Sequence, residues 1–291
     1  MLEKLQVEPI LELIKSAGEL IMRFYTSGDI QIQTKADDSP VTNADKASNE
    51  LILRGLLSRY PDIPIISEET AHTPYEIRKD WEYFWMVDPL DGTKEFIKRN
   101  GEFSINLALI HKKKPVAGFV HFPVQGWTYY AIKGGGAFKK ESSFVIRLSS
   151  FGRKKFSAIS YQSSEKQKSN IENRESKINV MISRSHSGAR ELDFVNKLKN
   201  KGYDVETLPH GSAMKHCLIA EGKGDIYPKF GICFEWDTAP GQIILEEAGG
   251  KVTRTDNGES LSYNKPHFEN PEFIMWGPDI PTDLLRNSQG S

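Results

Sequence analysis

The stretch WMVDPLDGT, Trp85 to Thr93, decides how the rest of the chain is read. A hydrophobic run stops at Asp88, the chain turns at Pro89, and a second carboxylate, Asp91, arrives just before Gly92 and Thr93. Asp, Pro and Gly are ordinary turn residues, so a surface turn is the simplest reading. Two acids at the end of an apolar strand repel each other, and that repulsion is relieved if a cation lies between them. Upstream, YFWMV (83–87) reads as a buried strand. Downstream, GTKEFIKR (92–99) reads as a brief helix whose first N–H groups and dipole suit a phosphate.

Two other segments place acids where a strand ends or a helix begins. Glu68 and Glu69 follow the strand-like IPIIS (63–67), and Asp237 opens the helical WDTAPGQIILEEAGG (236–250). Each has an ordinary explanation of its own: a solvated acidic pair, or a helix N-cap. Hard oxygen donors without a His or Cys set point to magnesium. An i,i+3 pair across a Pro turn is able to bridge two ions, a recurrent device for phosphoester hydrolysis. Neither GxGxxG nor GxxxxGK[ST] is present, which removes support for dinucleotide and P-loop sites. Gly134-Gly135-Gly136 reads as a β-turn.

The 291 residues allow one bilobed domain or two smaller ones. With 38 basic and 39 acidic residues the chain lacks the basic footprint of a nucleic-acid binder. No apolar run approaches the ~18 residues of a membrane span. The amphipathic N-terminus lacks the features of a secretory signal, so a cytoplasmic protein is expected, with peripheral membrane association left open. Cys217 and Cys233 form no CxxC and read as reduced core thiols.

Pro9 opens a helix carrying Ile10, Leu13, Ile14, Ala17, Ile21 and Phe24 at helical spacing, closed by Ser27-Gly28. IQIQT (30–34) alternates like a short strand. A second helix follows SPVTNAD (39–45), capped by Thr42 or Asn43 and carrying Ala44, Ala47, Leu51, Ile52, Leu56 and Leu57. FSINLALIH, PVAGFVHF, GWTYYAI and AFKK, between 103 and 140, form an antiparallel meander. Residues 149–176 are polar and rich in Ser, Lys and Asn, an inter-lobe connection or mobile loop. Beyond them strands and helices alternate, from INVMIS (178–183) to EFIMWG (272–277), as in an α/β lobe.

Taken in order, SEE (67–69), DPLDGT (88–93) and EWDTAPGQIILEEAGG (235–250) resemble the inositol monophosphatase-like superfamily of magnesium-dependent, lithium-sensitive phosphatases. The resemblance runs from PVTNAD to EEAGG. It implies a two-lobed sugar-phosphatase-like fold, α+β in the N-terminal lobe (1–155) and α/β in the C-terminal lobe (156–291), layered αβαβα. The first lobe would carry most metal ligands, the second Asp237 and the substrate-binding residues. SRSH (183–186) and GSAMKHCLIAEGKGDIYPKFG (211–231) look like the CysQ branch, the 3'(2'),5'-bisphosphate nucleotidases. These remove the 3'-phosphate of adenosine 3',5'-bisphosphate, a by-product of sulfate activation, leaving AMP and phosphate.

By that resemblance Glu68, Asp88, the Leu90 carbonyl, Asp91 and Asp237 hold two or three magnesium ions, with Glu69 in a lesser role. Thr93 would hydrogen-bond the attacking water and Asp45 would orient Thr93. Gly92, Thr93, Arg184, His186, Ser212, Lys215 and Lys229 would contact substrate, since a second phosphate needs cations away from the metals. Ser212, at a helix start, is placed to cap the helix, to touch phosphate, or to do both. The chain departs from the branch at Lys229, where Arg is frequent, at GIC (231–233) in place of Gly-Pro-Thr, and at WDTAP in place of WDTAA. Pro240 fits a first helical turn, so Asp237 should keep its place. The expected partner is a small nucleotide bisphosphate, with no nucleic acid and no stable membrane insertion; monomer and homodimer stay open. Competing readings are an inositol or sugar-phosphate phosphatase of the same superfamily, a haloacid-dehalogenase-type enzyme (whose D-x-D-G-T differs from the spacing here), and a non-catalytic nucleotide-binding protein.

Overall fold

The computed structural model describes residues 2–35, 38–70, 73–141, 177–185, 188–280 and 284. The polar connection read at 149–176 lies outside the described residues, and so does His186.

Strand β3 (Ile65–Ser67) and strand β4 (Tyr83–Asp91) run parallel. Strands β5 (Ser104–His111), β6 (Lys114–Phe122), β7 (Trp127–Ile132) and β8 (Gly136–Glu141) continue the six-stranded sheet in chain order, each antiparallel to the one before it. This is the expected meander. The apolar run of β4 is continuous because both faces are covered. Trp85 and Val87 meet Ile10, Ile14 and Ile21 of helix α1 (Val7–Ser27) and Ile52 and Leu56 of helix α2 (Asn43–Arg59). Phe84 and Met86, on the opposite face by the two-residue period of a strand, join a second core with Cys217, Ile243 and Ile244.

Helix α2 starts in a capping box. Thr42 accepts from the Ala44 and Asp45 N–H groups while the Asp45 carboxylate accepts the Thr42 N–H at 2.8 Å. Leu57, expected on the buried face of α2, is instead 50% exposed. A short hairpin, β1 (Ile32–Thr34) with β2 (Pro40–Thr42), precedes that helix.

The second sheet has five strands, β9 (Lys177–Ser183), β10 (Asp204–His210), β11 (Ile226–Lys229), β12 (Lys251–Arg254) and β13 (Phe273–Trp276), in the order β10-β9-β11-β13-β12. β10, β9 and β11 are parallel, and β13 is antiparallel to both its neighbours. Helix α5 (Ala189–Asn200) covers the outer face through Val195 and Leu198, together with Ile280 and Leu284. Helices α6 (Met214–Ala220) and α7 (Glu235–Glu247) fill the space between the sheets. Short helices α3 (Tyr75–Arg78) and α4 (Thr93–Ile97) flank β4. The layers are therefore αβαβα. The central core runs without a break from Ile66 and Phe84 to Phe273 and Met275, so α7 belongs physically to both sheets. Among the described residues no helix is long and apolar enough to cross a membrane.

Helix α7 begins one residue earlier than its sequence suggested, and Pro240 lies inside it rather than in its first turn. Pro240 therefore removes one intrahelical bond, the one to the Trp236 carbonyl. Asp237 nevertheless stays at the N-terminal turn, because the proline is seated against β6 at a position with no side chain. A Cβ on Gly118 would lie 2.6 Å from the Pro240 carbonyl oxygen and 2.5 Å from Ile243 Cγ2. At the far end of α7, the Glu247 carboxylate accepts the N–H groups of Gly134 and Gly136, both at 2.9 Å, and so holds the β7–β8 turn.

Gly118→Ala is accordingly expected to destabilise the protein by about 1–3 kcal/mol, the usual penalty of overpacking. Chemical unfolding of the two proteins measures it, and equal stability would show that α7 moves freely over β6.

Candidate active site

In a regular strand, residues three apart point to opposite faces. Asp88 and Asp91 do not, because β4 carries a bulge between them: Asp88 pairs with Asn106 and Asp91 with Ser104, so one extra residue sits on the β4 side. Pro89 lies in that bulge and has no N–H to lose. The extra residue reverses the parity, and both carboxylates reach one space. Asp237 enters it from helix α7. One carboxylate oxygen from each of the three residues lies within 4.8 Å of the other two.

Each acid is held by the protein as well. Asp88 Oδ1 accepts the Leu90 N–H at 3.0 Å. Asp91 Oδ2 accepts from the Ser104 hydroxyl (3.2 Å), the Asn106 amide (3.1 Å) and the Ala213 N–H (2.7 Å). Asp237 Oδ2 accepts the Phe234 N–H at 2.8 Å, closing one half of a capping box, and the Cys233 thiol at 3.4 Å. Burial raises the Cys233 thiol, so it remains a neutral donor. Helix capping and membership of the acidic cluster are thus compatible roles for Asp237.

Burial, then the charges of Glu68, Asp91 and Asp237, push Asp88 well above the ordinary carboxylate range. Burial also raises Asp91, against the pull of Lys215. Asp237 is pushed up to about 7 by burial and by Asp91 and Glu68. Hard, mutually repelling oxygen donors of this kind fit a divalent cation, whose charge removes the repulsion. Glu68 lines the same cavity but is not one of the three clustered acids. Its Oε1 accepts Lys35 Nζ at 2.7 Å, and Glu69 Oε1 accepts the same ammonium at 2.5 Å. Burial raises Glu68 and Lys35 opposes the rise. The acidic pair that follows β3 therefore shares one ammonium from the β1–β2 hairpin.

Thr93 opens helix α4. Its hydroxyl donates to Asp45 Oδ1 at 3.0 Å, with the Leu90 carbonyl at 3.3 Å as a second acceptor. The other Asp45 oxygen is engaged by Thr42. Asp45 thus caps α2 and orients Thr93 at the same time, and burial raises its pKa. Gly92 adopts φ +91°, and a Cβ there would sit 3.1 Å from the Glu102 carbonyl. Only glycine suits that position.

Glu68, Asp88, Asp91, Gly92, Thr93 and Asp237 line a cavity of about 650 Å³. Lys94, Ser212, Lys215 and Lys229 line it as well. Lys215 Nζ donates to the carbonyls of Ser212 (2.7 Å) and His210 (3.1 Å). Burial lowers Lys215 to about 8, and Lys229 adds to the fall. Ser212 does not cap α6, which starts at Met214; it has φ +42°, and its buried hydroxyl has no partner among the described residues. Arg184, expected at the substrate, is not brought to the cavity lining: its guanidinium makes two 2.7 Å bonds to Glu102. The mouth is apolar. Ile232 is 75% exposed, and Phe234 stacks on Trp236 with ring centroids 5.2 Å apart.

Ser104, Asn106, Lys35, Cys233 and Glu102 were not anticipated. Ser104 and Asn106 carried a signal, since alternate polar residues opening an otherwise apolar core strand need partners. Lys35 and Glu102 carried none, because their partners are distant in sequence.

A stack of these layers with carboxylates gathered under a bulged strand and lysines facing them defines a class of phosphate-handling enzymes. The chain belongs to the Inositol monophosphatase family, whose family model matches residues 5–277. It is similar to "3'(2'),5'-bisphosphate nucleotidase CysQ" of Salmonella typhimurium, at 39% identity over 92% of this chain and 98% of the relative. The protein of the same description from Buchnera aphidicola is 39% identical over 89% of this chain and 87% of its own. Among solved structures, CysQ from Bacteroides thetaiotaomicron, described as a bacterial member of the inositol monophosphatase family, superimposes with a TM-score of 0.74. It is 33% identical and the match covers 94% of this chain and 97% of that one.

The raised carboxyls fix the sign of a pH effect. Asp237 binds more protons folded than unfolded between its ordinary value of 3.8 and about 7, so without metal it weakens the fold as pH rises through that window. A divalent ion competes with those protons and removes the cost. The rise in melting temperature on adding magnesium should therefore be larger at pH 8 than at pH 5.5, growing as pH approaches about 7 and levelling off above it. Thermal unfolding with chelator and with magnesium measures it; a pH-independent rise would contradict the assignment.

Proposed function

We propose that this protein is a magnesium-dependent 3'(2'),5'-bisphosphate nucleotidase that releases the 3'-phosphate of adenosine 3',5'-bisphosphate. The observation that carries this reading is the pairing of two like-charged clusters across one cavity. Asp88, Asp91 and Asp237 gather negative charge, and Lys215, already attracted by Asp91, stands beside Lys229 with positive charge. A ligand with one phosphoryl group at the acids and a second phosphate at the lysines suits both walls. Exposed Ile232 and half-buried Phe234 add apolar surface to the lining for a flat ring, with Trp236 packed behind Phe234. The CysQ relatives support the same substrate class.

Asp88, Asp91, Asp237, Glu68 and the Leu90 carbonyl would hold the magnesium ions, two or three in number. When bound, such ions neutralise the acids, lower the pKa of water and absorb charge on the transferring phosphoryl group. The chain supplies the rest. Because Thr93 donates its proton to Asp45, the lone pairs of its oxygen are left to accept from the attacking water. Asp45, raised by burial, takes up proton density through that hydroxyl as the water loses its own. Gly92 opens the approach to the α4 N-terminus, and Ser212, Lys215 and Lys229 bind the second phosphate. Lys229 offers a point charge rather than the fork of an arginine, so it grips that phosphate less directionally.

Asp91→Asn keeps the shape of the side chain and removes its charge. Phosphate release is expected to fall by about 10²- to 10³-fold or more, the scale of losing a preorganised electrostatic group, with the melting temperature of the metal-free protein retained. A folded variant with near-normal turnover would exclude the metal role. On the native enzyme, adenosine 3',5'-bisphosphate should be turned over far faster than inositol 1-phosphate, and lithium should inhibit. Preference for inositol 1-phosphate would move the protein to the other activity of its family.

A further inference from the structure

Arg184 and Glu102 come from different lobes and meet outside the cavity. The guanidinium donates through Nε to Glu102 Oε2 and through Nη2 to Oε1, both at 2.7 Å, and Nη2 also reaches the Pro209 carbonyl at 2.9 Å. An exposed ion pair is ordinarily worth little, and Arg184 is 43% exposed. Here the carboxylate has a third partner. Glu102 Oε2 also accepts the Gly211 N–H at 2.8 Å, and the Glu102 side chain is only 14% exposed.

The chain around Gly211 is fixed from several sides. A Cβ on Gly211 would lie 2.9 Å from Glu95 Cγ and 3.0 Å from the Glu102 carbonyl, so this backbone is pressed against the β4–β5 connection. Ser212 follows with φ +42° and its partnerless buried hydroxyl. Ala213 N–H reaches Asp91 at 2.7 Å, and Lys215 Nζ closes the turn onto the His210 and Ser212 carbonyls. Beside Arg184, the Ser185 hydroxyl donates to Glu95 Oε1 at 2.5 Å, a second strut between the same two regions. A left-handed serine is costly unless its surroundings over-determine it. Glu102 supplies that restraint directly through Gly211, and Arg184 supplies it through Glu102 and Pro209.

We infer that Glu102 and Arg184 are positioning residues: their ion pair clamps the 209–213 turn of the C-terminal lobe onto the N-terminal sheet and so sets where Ser212 and Lys215 meet the second phosphate. The role assigned to that phosphate rests on the nucleotidase reading above; the clamp itself does not. Arg184 thus acts on the ligand through the turn and not by touching it.

The test compares the native protein with Glu102→Gln, Arg184→Ala and the double variant. In the free proteins, amide hydrogen exchange over 208–215 should be faster in each variant, Gly211 and Ala213 most of all. With adenosine 3',5'-bisphosphate and magnesium, each single variant should raise KM by about tenfold with a smaller loss in kcat, a size common when a binding group is misplaced. The double variant should be no worse than either single one, because both break the same clamp. Glu102→Gln keeps volume and one acceptor, and a retained melting temperature shows that it folds. If Arg184→Ala raises KM while Glu102→Gln leaves it unchanged or lowers it, Arg184 binds the ligand directly and the inference fails. Additive effects, or unchanged exchange, overturn it as well. If the native protein does not turn over the bisphosphate, the substrate reading falls, and the exchange measurement still decides the clamp.

Discussion

Three carboxylates from two elements, Asp88, Asp91 and Asp237, share a space in which their oxygens lie within 4.8 Å of one another. Burial alone opposes ionisation of each, and their mutual repulsion opposes it further. Such an arrangement weakens a fold unless something of opposite charge completes it. On the lysine wall burial lowers Lys215, Asp91 opposes the fall and Lys229 adds to it. The cavity thus sets clustered carboxylates opposite a pair of buried lysines. A divalent cation answers one and a phosphate the other, and a phosphate ester lying between them answers both.

Much of the remaining structure serves to hold that unfavourable arrangement in place. The bulge in β4 turns Asp88 and Asp91 to the same side, and β5 supplies Ser104 and Asn106 beneath Asp91. Helix α7 brings in Asp237 from between the sheets and is seated on Gly118, with its C-terminal end pinned to the β7–β8 turn through Glu247. Asp45 links the start of α2 to Thr93 at the start of α4. Each of these contacts joins a reactive side chain to a rigid element, which is what preorganised electrostatics requires. The central core, continuous from β4 across α6 and α7 to β13, gives the two sheets a common foundation.

Much of this was legible in the sequence because it is local. The apolar run before Asp88, the meander after it and the helix behind Thr42 follow from hydrophobic period and capping chemistry. The three acidic segments stood out because charges at the ends of buried strands call for an explanation. Other features arise only when distant segments meet. Strand parity places Asp88 and Asp91 on opposite faces, and only the register against β5 shows that a bulge corrects it. The strand order β10-β9-β11-β13-β12 depends on packing across the sheet, not on alternation along the chain. The pairing of Arg184 with Glu102 gave no sequence signal because the two lie 82 residues apart. Pro240 read as a first-turn residue, but it is the sixth residue of α7, and only the seat on Gly118 shows how the helix accommodates it. His186, which completes SRSH, lies outside the described residues.

The proposed chemistry requires divalent ions in the space between those carboxylates. Crystals of the native protein soaked in manganese, a divalent ion that accepts the same oxygen donors and scatters anomalously, test it most directly. The expected result is anomalous density between Asp88, Asp91 and Asp237, at bonding distance from an oxygen of each and lost in Asp91→Asn. Manganese bound only elsewhere, with the three carboxylates left to protons, would contradict it.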